Sequence, residues 1–366
     1  MEPLRNVTEL LENLFPSSLA LSDDRVGLQV QAKNTVEKIL VALELSPQVV
    51  RKALESSCDF LYLHHPPLWE PLQRLSCEDP LFVMLEKLYA QGVSVFAHHT
   101  NLDIAPQGIA DQWLKLLDLE KMAKPKPLFP VPHAKKYKLV TFVPQTHLNA
   151  VLEALFLEGA GIIGKYRDCA FFTLGTGTFR PEEAAHPFIG KPGQQEVVEE
   201  ARVEIEVSSG KLYRAIEALL KAHPYEQPVV DVYQLIPGFE ATGLGRVVTL
   251  PNPLSPKEIQ ERFSHLSVPF NLLCEEKDKT FQKIALCPGS GRKLIPKVIE
   301  EQVDLFISGD LTHHDIERLR LLGIAYLHVP HGPGERRALR EIVPLLEKEV
   351  QKRKLKVDIL FEEEIP

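Results

Sequence analysis

The chain has 366 residues, 44% of them hydrophobic and 25% charged, with a net charge of −8. This length suits two or three domains, and the composition is that of a soluble protein with ample material for a core. The acidic balance argues against a phosphate-tracking nucleic-acid face or a membrane-surface role, although not against a local basic patch.

The first residues, MEPLRNVTELLENLF, carry no basic segment followed by an apolar one, and no apolar stretch reaches membrane-spanning length. Cys58, Cys77, Cys169, Cys274 and Cys287 are odd in number and lack C-x-x-C spacing. Neither a disulfide framework nor a zinc ribbon is expected, and a reducing cytoplasm is the expected setting.

From Lys38, KILVALELSPQVVRKALESSCDFLYLHH reads as an apolar strand, a polar turn, an amphipathic helix and a second apolar strand. A further helix leads to the strand of GVSVFAHHTNLD, from Gly92. The proline- and lysine-rich KMAKPKPLFPVPHAKK (121–136) follows and reads as a linker, placed at 126–136 after a first half spanning 1–125. Next, YKLVTFVP leads into the helical THLNAVLEALFLEGA, and ARVEIEVS leads into GKLYRAIEALLKAHP and the strand-like VVDVYQLI. This order suggests a β-α-β-β-α-β ferredoxin-like α+β domain inserted over 137–236. Within it, GTGTF lacks the lysine and frame of a phosphate loop, so CAFFTLGTGTFRPEEAAHPFIG reads as a hairpin with a long loop.

The second half, 238–366, repeats the first. KIALCPGSGRKLIPKVIEEQVDLFISGD, from Lys283, has the same strand-turn-helix-strand pattern, and GIAYLHVPHGPGE, from Gly323, supplies the third strand. Lys38 to Asp59 and Lys283 to Asp304 both span 21 positions. The expected fold class is therefore α/β: two similar βαβ-type halves with parallel strands covered on both faces, plus the insert. In such sheets, chemistry gathers beyond the carboxyl ends of the strands.

Those ends carry the candidate site. His64-His65 closes one strand, and Pro66-Pro67 stops the chain after it. Alone, such a histidine reads equally well as a hydrogen-bonded core residue. Asp103 follows a second strand. His331 and Glu335 follow a third, four residues apart, with Pro333 suited to a first helical turn and Glu335 favoured near that helix's N-terminus. Imidazoles with carboxylates suit zinc, iron, manganese, cobalt or nickel rather than a calcium cage. Five ligands exceed the three usual for one catalytic metal, whereas two metals with a bridging carboxylate would use them all. Near the matching strand end, Asp310 and His314 are candidates for support or proton transfer, and Thr312 for helix capping. The role of His313 is open. Strand alternation lets only one of His98 and His99 face the site, and hydrogen bonding to neighbours would explain His99 without a metal.

Taken in order, HHPPLW, AHHTNLD, ISGDLTHHD and HGPGE resemble the Nif-three-like dinuclear-metal hexamer family, often catalogued as GTP cyclohydrolase 1 type 2 homologues. DRVGLQV, from Asp24, is similar to that family's N-terminal signature, with Arg25 in place of the usual Asn. The likeness covers about 1–125 and 238–366, and the middle resembles the PII- or CutA-like insert of longer members. It implies two divalent metals per subunit in a cleft between the halves, held by His64, His65, Asp103, His331 and Glu335. It also implies a toroidal homohexamer with metal sites facing inward and the insert over the ring's openings. Pro330 and Gly332-Pro333-Gly334 depart from the family's Gly and Tyr-Ala-Thr. The ligand spacing survives, but substrate contacts made through that threonine and tyrosine do not carry over.

Two functions follow as expectations. One is a metal-dependent hydrolase. Two divalent ions outweigh Asp103 and Glu335, so the site favours a small anionic substrate, a nucleotide or a phosphoester. The GTP cyclohydrolase reading comes from the resemblance, since nothing in the sequence reads guanine. The alternative is a non-enzymatic metal-binding hexameric scaffold, metallochaperone or regulatory protein.

Overall fold

Short apolar runs bounded by turns become the central strands. Lys38–Ala42, Phe60–Leu63 and Ser94–Ala97 run parallel to one another and, after Lys38, are buried throughout. Burial on both faces explains the absence of polar alternation in their sequence. Val41, Phe60 and Tyr62 point into one hydrophobic core, while Leu40, Leu61 and Leu63 point into another. Ser46 starts the helix Pro47–Glu55 by accepting from the Val49 amide, with Pro47 in the first turn.

The computed structural model describes residues 1–362 apart from 73, 132–135, 165, 236–241 and 277. The chain divides into two compact units, Met1–Val131 with Glu240–Pro366, and Pro132–Phe239. The protein is a mixed α/β chain with several sheets. Among the described residues, no helix is long and apolar enough to cross a membrane.

The first unit holds two large sheets that are parallel only at their centres. The five-stranded sheet adds Asp358–Phe361 parallel to Lys38–Ala42 at one edge and Gly27–Val30 antiparallel at the other. In the six-stranded sheet, Phe281–Ser290, Leu305–Gly309 and Ala325–His328 are parallel. Its remaining strands, Asn271–Leu273, Gly243–Leu254 and Lys126–Pro130, pair antiparallel. The all-parallel expectation is corrected in this respect.

The linker expectation changes too. Lys126–Pro130 is an edge strand paired with Gly243–Val247, and residues 132–135 lie outside those described. Its prolines are tolerated because an edge strand needs hydrogen bonds on one side only.

Matching aspartates tie the strands together. Asp59 accepts from the Glu37 and Lys38 amides, and Asp304 accepts from those of Gln282 and Lys283. Arg246, almost fully buried, pairs with Asp111 at 2.5 Å and donates to the carbonyls of Ala105, Gly243 and Gly245. Every donor direction of this buried cation is thereby used.

The second unit is a four-stranded antiparallel sheet in the order Val230–Leu235, Lys136–Pro144, Glu196–Ser208, Ala170–Phe179. Helices Leu148–Leu157 and Leu212–Ala222 pack on it. Val203, Ile205 and Val207 are buried and alternate with less buried Arg202, Glu204 and Glu206, the period of a one-sided sheet. GTGTF lies inside the strand Ala170–Phe179, which pairs with Glu196–Ser208 across the loop 180–195.

Candidate metal centre

Each candidate ligand sits just beyond a strand. The His64 amide donates to the Leu43 carbonyl at 3.1 Å, and that of His65 does so at 2.8 Å, which fixes the end of Phe60–Leu63. Ser94–Ala97 leads into the short helix Thr100–Ile104, which carries Asp103. Ala325–His328 leads into the helix His331–Arg340, where Glu335 is buried on the inner face. The Trp113 indole donates to the Gly334 carbonyl at 3.2 Å, locking that helix to Ile109–Leu116.

The structure brings all five predicted residues together. His65 Nε2 lies 3.0 Å and His331 Nε2 3.1 Å from Glu335 Oε2. His64 Nε2 lies 3.8 Å from Glu335 Oε1 and 3.6 Å from Asp103 Oδ1. These last two distances are too long for hydrogen bonds. His64 Nε2 is buried with no hydrogen-bond partner. His64, His65 and Glu335 each offer a ligand atom within 4.8 Å of the others, so they form a group that could hold a metal ion.

The three imidazoles share one orientation logic. His64 Nδ1 donates to the His98 carbonyl at 3.0 Å. His65 Nδ1 lies 3.3 Å from Glu44 Oε2, and His331 Nδ1 lies 2.5 Å from Asp310 Oδ2. An acceptor at each Nδ1 holds a proton there and turns Nε2 toward Glu335, to which His65 and His331 donate; a metal ion would replace that second proton. Metal-binding histidines are oriented in this way by their outer partners.

The charges are tightly matched. Burial pushes the His64 imidazole down, but Asp103 and Glu335 outweigh it and raise its pKa to about 9. The Glu335 hydrogen bond raises His331 to about 9. Burial would raise Glu335, but hydrogen bonds from His331 and His65 and the nearby charge of His64 hold it well below the usual carboxylate range. Burial raises Asp103.

The remaining candidates separate. His98 points into the core, with Nδ1 3.2 Å from the Tyr62 hydroxyl. His99 faces the site, its ring 5.4 Å from that of His64, but its Nδ1 contacts Asp24 at 2.9 Å. Asp24 also accepts from the Thr100 amide, so DRVGLQV secures the helix that carries Asp103. Thr312 caps the helix His313–Leu321 in a capping box with Asp315. His313 and His314 are exposed on that helix. Among the described residues, neither has a hydrogen bond or ion pair to the five ligand candidates. Their rings stand 5.7 Å apart. Asp310 contacts His331, and His314 contacts none of the five.

Two residues escaped the sequence reading, Glu44 behind His65 and Gly289 beside Glu335. Gly289 has φ +69°, and an added Cβ would overlap Glu335 Oε1 and stand 3.2 Å from His331 Nε2. The signal was positional. Glu44 and Gly289 lie six places after Lys38 and Lys283, the matching lysines of the two similar patterns, each near the end of a strand.

The sequence profile of the Duf34/NIF3 (NGG1p interacting factor 3) family matches residues 3–366. The chain belongs to the Duf34/NIF3 family. Among curated members, it is 34% identical over 312 residues to the "GTP cyclohydrolase 1 type 2 homolog" of Halalkalibacterium halodurans, covering 85% of this chain and 83% of that protein. The Bacillus subtilis protein of the same name is 32% identical over 332 residues, covering 89% and 87%. Among solved structures, a Bacillus cereus protein related to NIF3 aligns with a TM-score of 0.78 at 30% identity, covering 99% of this chain and 96% of that one. The Staphylococcus aureus protein SA1388 shares the fold, with a TM-score of 0.82 at 23% identity over 99% and 97% of the two chains.

Proposed function

We propose that this Duf34/NIF3 protein holds two divalent metal ions on His64, His65, Asp103, His331 and Glu335 and hydrolyses a small anionic substrate, a nucleotide or a phosphoester. The ions would be zinc, iron, manganese, cobalt or nickel. The observation that carries the reading is the convergence of three Nδ1-anchored imidazoles on one buried carboxylate. The buried His64 Nε2, which has no hydrogen-bond partner and lies between the Asp103 and Glu335 carboxylates, supports it, because such a nitrogen suits a metal ion.

When bound, such ions supply Lewis acidity to an attacked phosphoryl or carbonyl group. The chain's own residues do the rest. Glu335 offers one oxygen toward His65 and His331 and the other toward His64, so both oxygens would be available to ions held there. Asp310 holds the Nδ1 proton of His331 and is half-exposed, so it can also exchange protons with solvent. His98, Glu44 and Asp310 orient the three imidazoles.

We further infer that the first unit consists of two duplicated halves, which the matched Asp59 and Asp304 contacts support. The β-α-β-β-α-β order and strand arrangement of the second unit support a ferredoxin-like, PII- or CutA-like insert. Family membership supports a homohexamer with the metal sites turned inward, and five free cysteines support a reducing, cytoplasmic setting.

The test is metal analysis of the purified protein, followed by turnover of GTP and a panel of phosphoesters. His65→Ala and Glu335→Gln should lose metal and turnover together, while His186→Ala in the insert should keep both. Turnover that persists in the metal-depleted variants overturns the hydrolase mechanism. Tight metal binding without turnover favours the non-enzymatic scaffold.

A further inference from the structure

The inserted unit, taken by itself, contains a cavity of about 540 Å³ between its sheet and the segments 181–188 and 225–229. This is the size of a small-molecule site. Aromatic rings dominate its walls. Phe179 and Phe188 lie 5.9 Å and 6.4 Å from Tyr225, and Phe142 lines the same space.

A carboxylate stands among these rings. Glu200 lines the cavity and is only 9% exposed. The Tyr225 hydroxyl donates to its Oε1 at 2.7 Å. Burial and this carboxylate both push the Tyr225 phenol pKa up, so the hydroxyl stays a donor. Among the described residues, Oε2 of Glu200 has no hydrogen-bond partner. That oxygen opens on the cavity and is free to accept from a donor placed there.

The GTGTF stretch makes the space. Gly177 lies across the strand pair from Val198, and an added Cβ there would overlap Glu200 Oε2. Gly175 faces open space in the same wall. Two other charged groups line the cavity. Arg202 lies 5.5 Å from the Phe142 ring centre and pairs with Glu204 at 3.0 Å. Glu226 accepts from the His186 amide at 3.2 Å. Glu200 Oε2 thus stands as an open anionic acceptor beside flat apolar walls.

We propose that this cavity binds a planar aromatic or heteroaromatic ligand with adjacent N–H donors, which Glu200 receives while the Phe179, Phe188 and Tyr225 rings flank the plane. This site is independent of the metal reading. An amidinium ring and an amino-substituted nucleobase share the required donor edge, and the probes separate them.

Isothermal titration of the full-length protein would use benzamidine and guanosine, with benzoate as the ring that lacks donors. At least one donor probe should bind with Kd below about 1 mM, and benzoate should not. Binding of benzamidine alone assigns a cationic ligand, and binding of guanosine alone a nucleobase. Glu200→Gln keeps an oxygen for the Tyr225 hydroxyl and should weaken binding at least tenfold, with metal content and thermal melting unchanged. Phe188→Ala, at a position 52% exposed, should also weaken binding without unfolding the unit. The proposal is overturned if neither donor probe binds, if benzoate binds equally well, or if both variants bind as the wild type does.

Discussion

Gly289→Ala separates backbone strain from the chemistry of the site. At φ +69°, alanine would cost about 1–2 kcal/mol of stability. Its Cβ would also overlap Glu335 Oε1, whose partner oxygen is pinned at 3.0 Å and 3.1 Å by His65 and His331. Glu335 cannot yield without loosening these bonds, each worth about 1.5–3 kcal/mol as a hydrogen bond to a charged group. Metal affinity should therefore fall by tenfold to hundredfold, the scale seen when a ligand's support is removed. Gly92→Ala is the control. Its φ is +72°, and its Cβ would meet only Lys33 Cδ, at 3.8 Å. Competition against a chelator, read by mass spectrometry of bound metal, and thermal melting in excess chelator would be measured on both variants. Both should melt lower, and only the change at 289 should release metal. Wild-type affinity in Gly289→Ala, or equal metal loss in Gly92→Ala, would refute the reasoning.

Asp310→Ala removes the acceptor at His331 Nδ1 and should weaken metal binding about tenfold to hundredfold, whereas His314→Ala should leave it unchanged. Equal chelator sensitivity of the two variants would reverse the assignment of Asp310. Asp24→Asn addresses pH. Burial would raise Asp24, but hydrogen bonds from His99 and Thr100 hold it well below the usual carboxylate range. The unfolded chain takes up this proton near pH 4 and the folded chain only below that, so the stabilisation is complete above about pH 4 and fades as pH falls. The gap in melting temperature between wild type and variant should be widest near neutrality and shrink below pH 4. A gap that stays constant to pH 3 would count against it. Trp113→Phe strips the donor from the Gly334 carbonyl and should lower stability by about 1 kcal/mol in denaturant titration.

The sequence made the central strands and their helices legible because each is a local pattern. Doubly buried runs such as FLYL have no polar interruption, and Ser46-Pro47 and Thr312 announce the helices they start. The histidines and carboxylates were legible because strand ends are where a parallel sheet presents chemistry. Pairings between distant segments were not. Asp358–Phe361 joins Lys38–Ala42 from more than 300 residues away, and Lys126–Pro130 forms a strand despite two prolines. No local pattern records that an edge is available. The direction of the His314 side chain was hidden for a related reason. Its spacing from the strand fits a site residue, but the capping box at Thr312 starts the helix so that the side chain is exposed. Glu44 and Gly289 were hidden because neither residue type marks a site until its neighbour is known.

Counting from Lys38 and Lys283 explains how two similar patterns build one asymmetric centre. His65 and Asp310 occupy matching places, 27 positions on. In the first half that place offers an imidazole to Glu335. In the second it offers a carboxylate that fixes His331. Glu44 and Gly289 also match, one holding His65 from behind and the other clearing space for Glu335. At the first position one pattern contributes a side chain that faces the proposed metals and the other contributes support; at the second, one contributes support and the other room. Two identical halves would set histidine against histidine at the first position, and would place a carboxylate side chain where Glu335 Oε1 now lies. The difference between the two patterns at these positions is therefore a physical requirement of the candidate site.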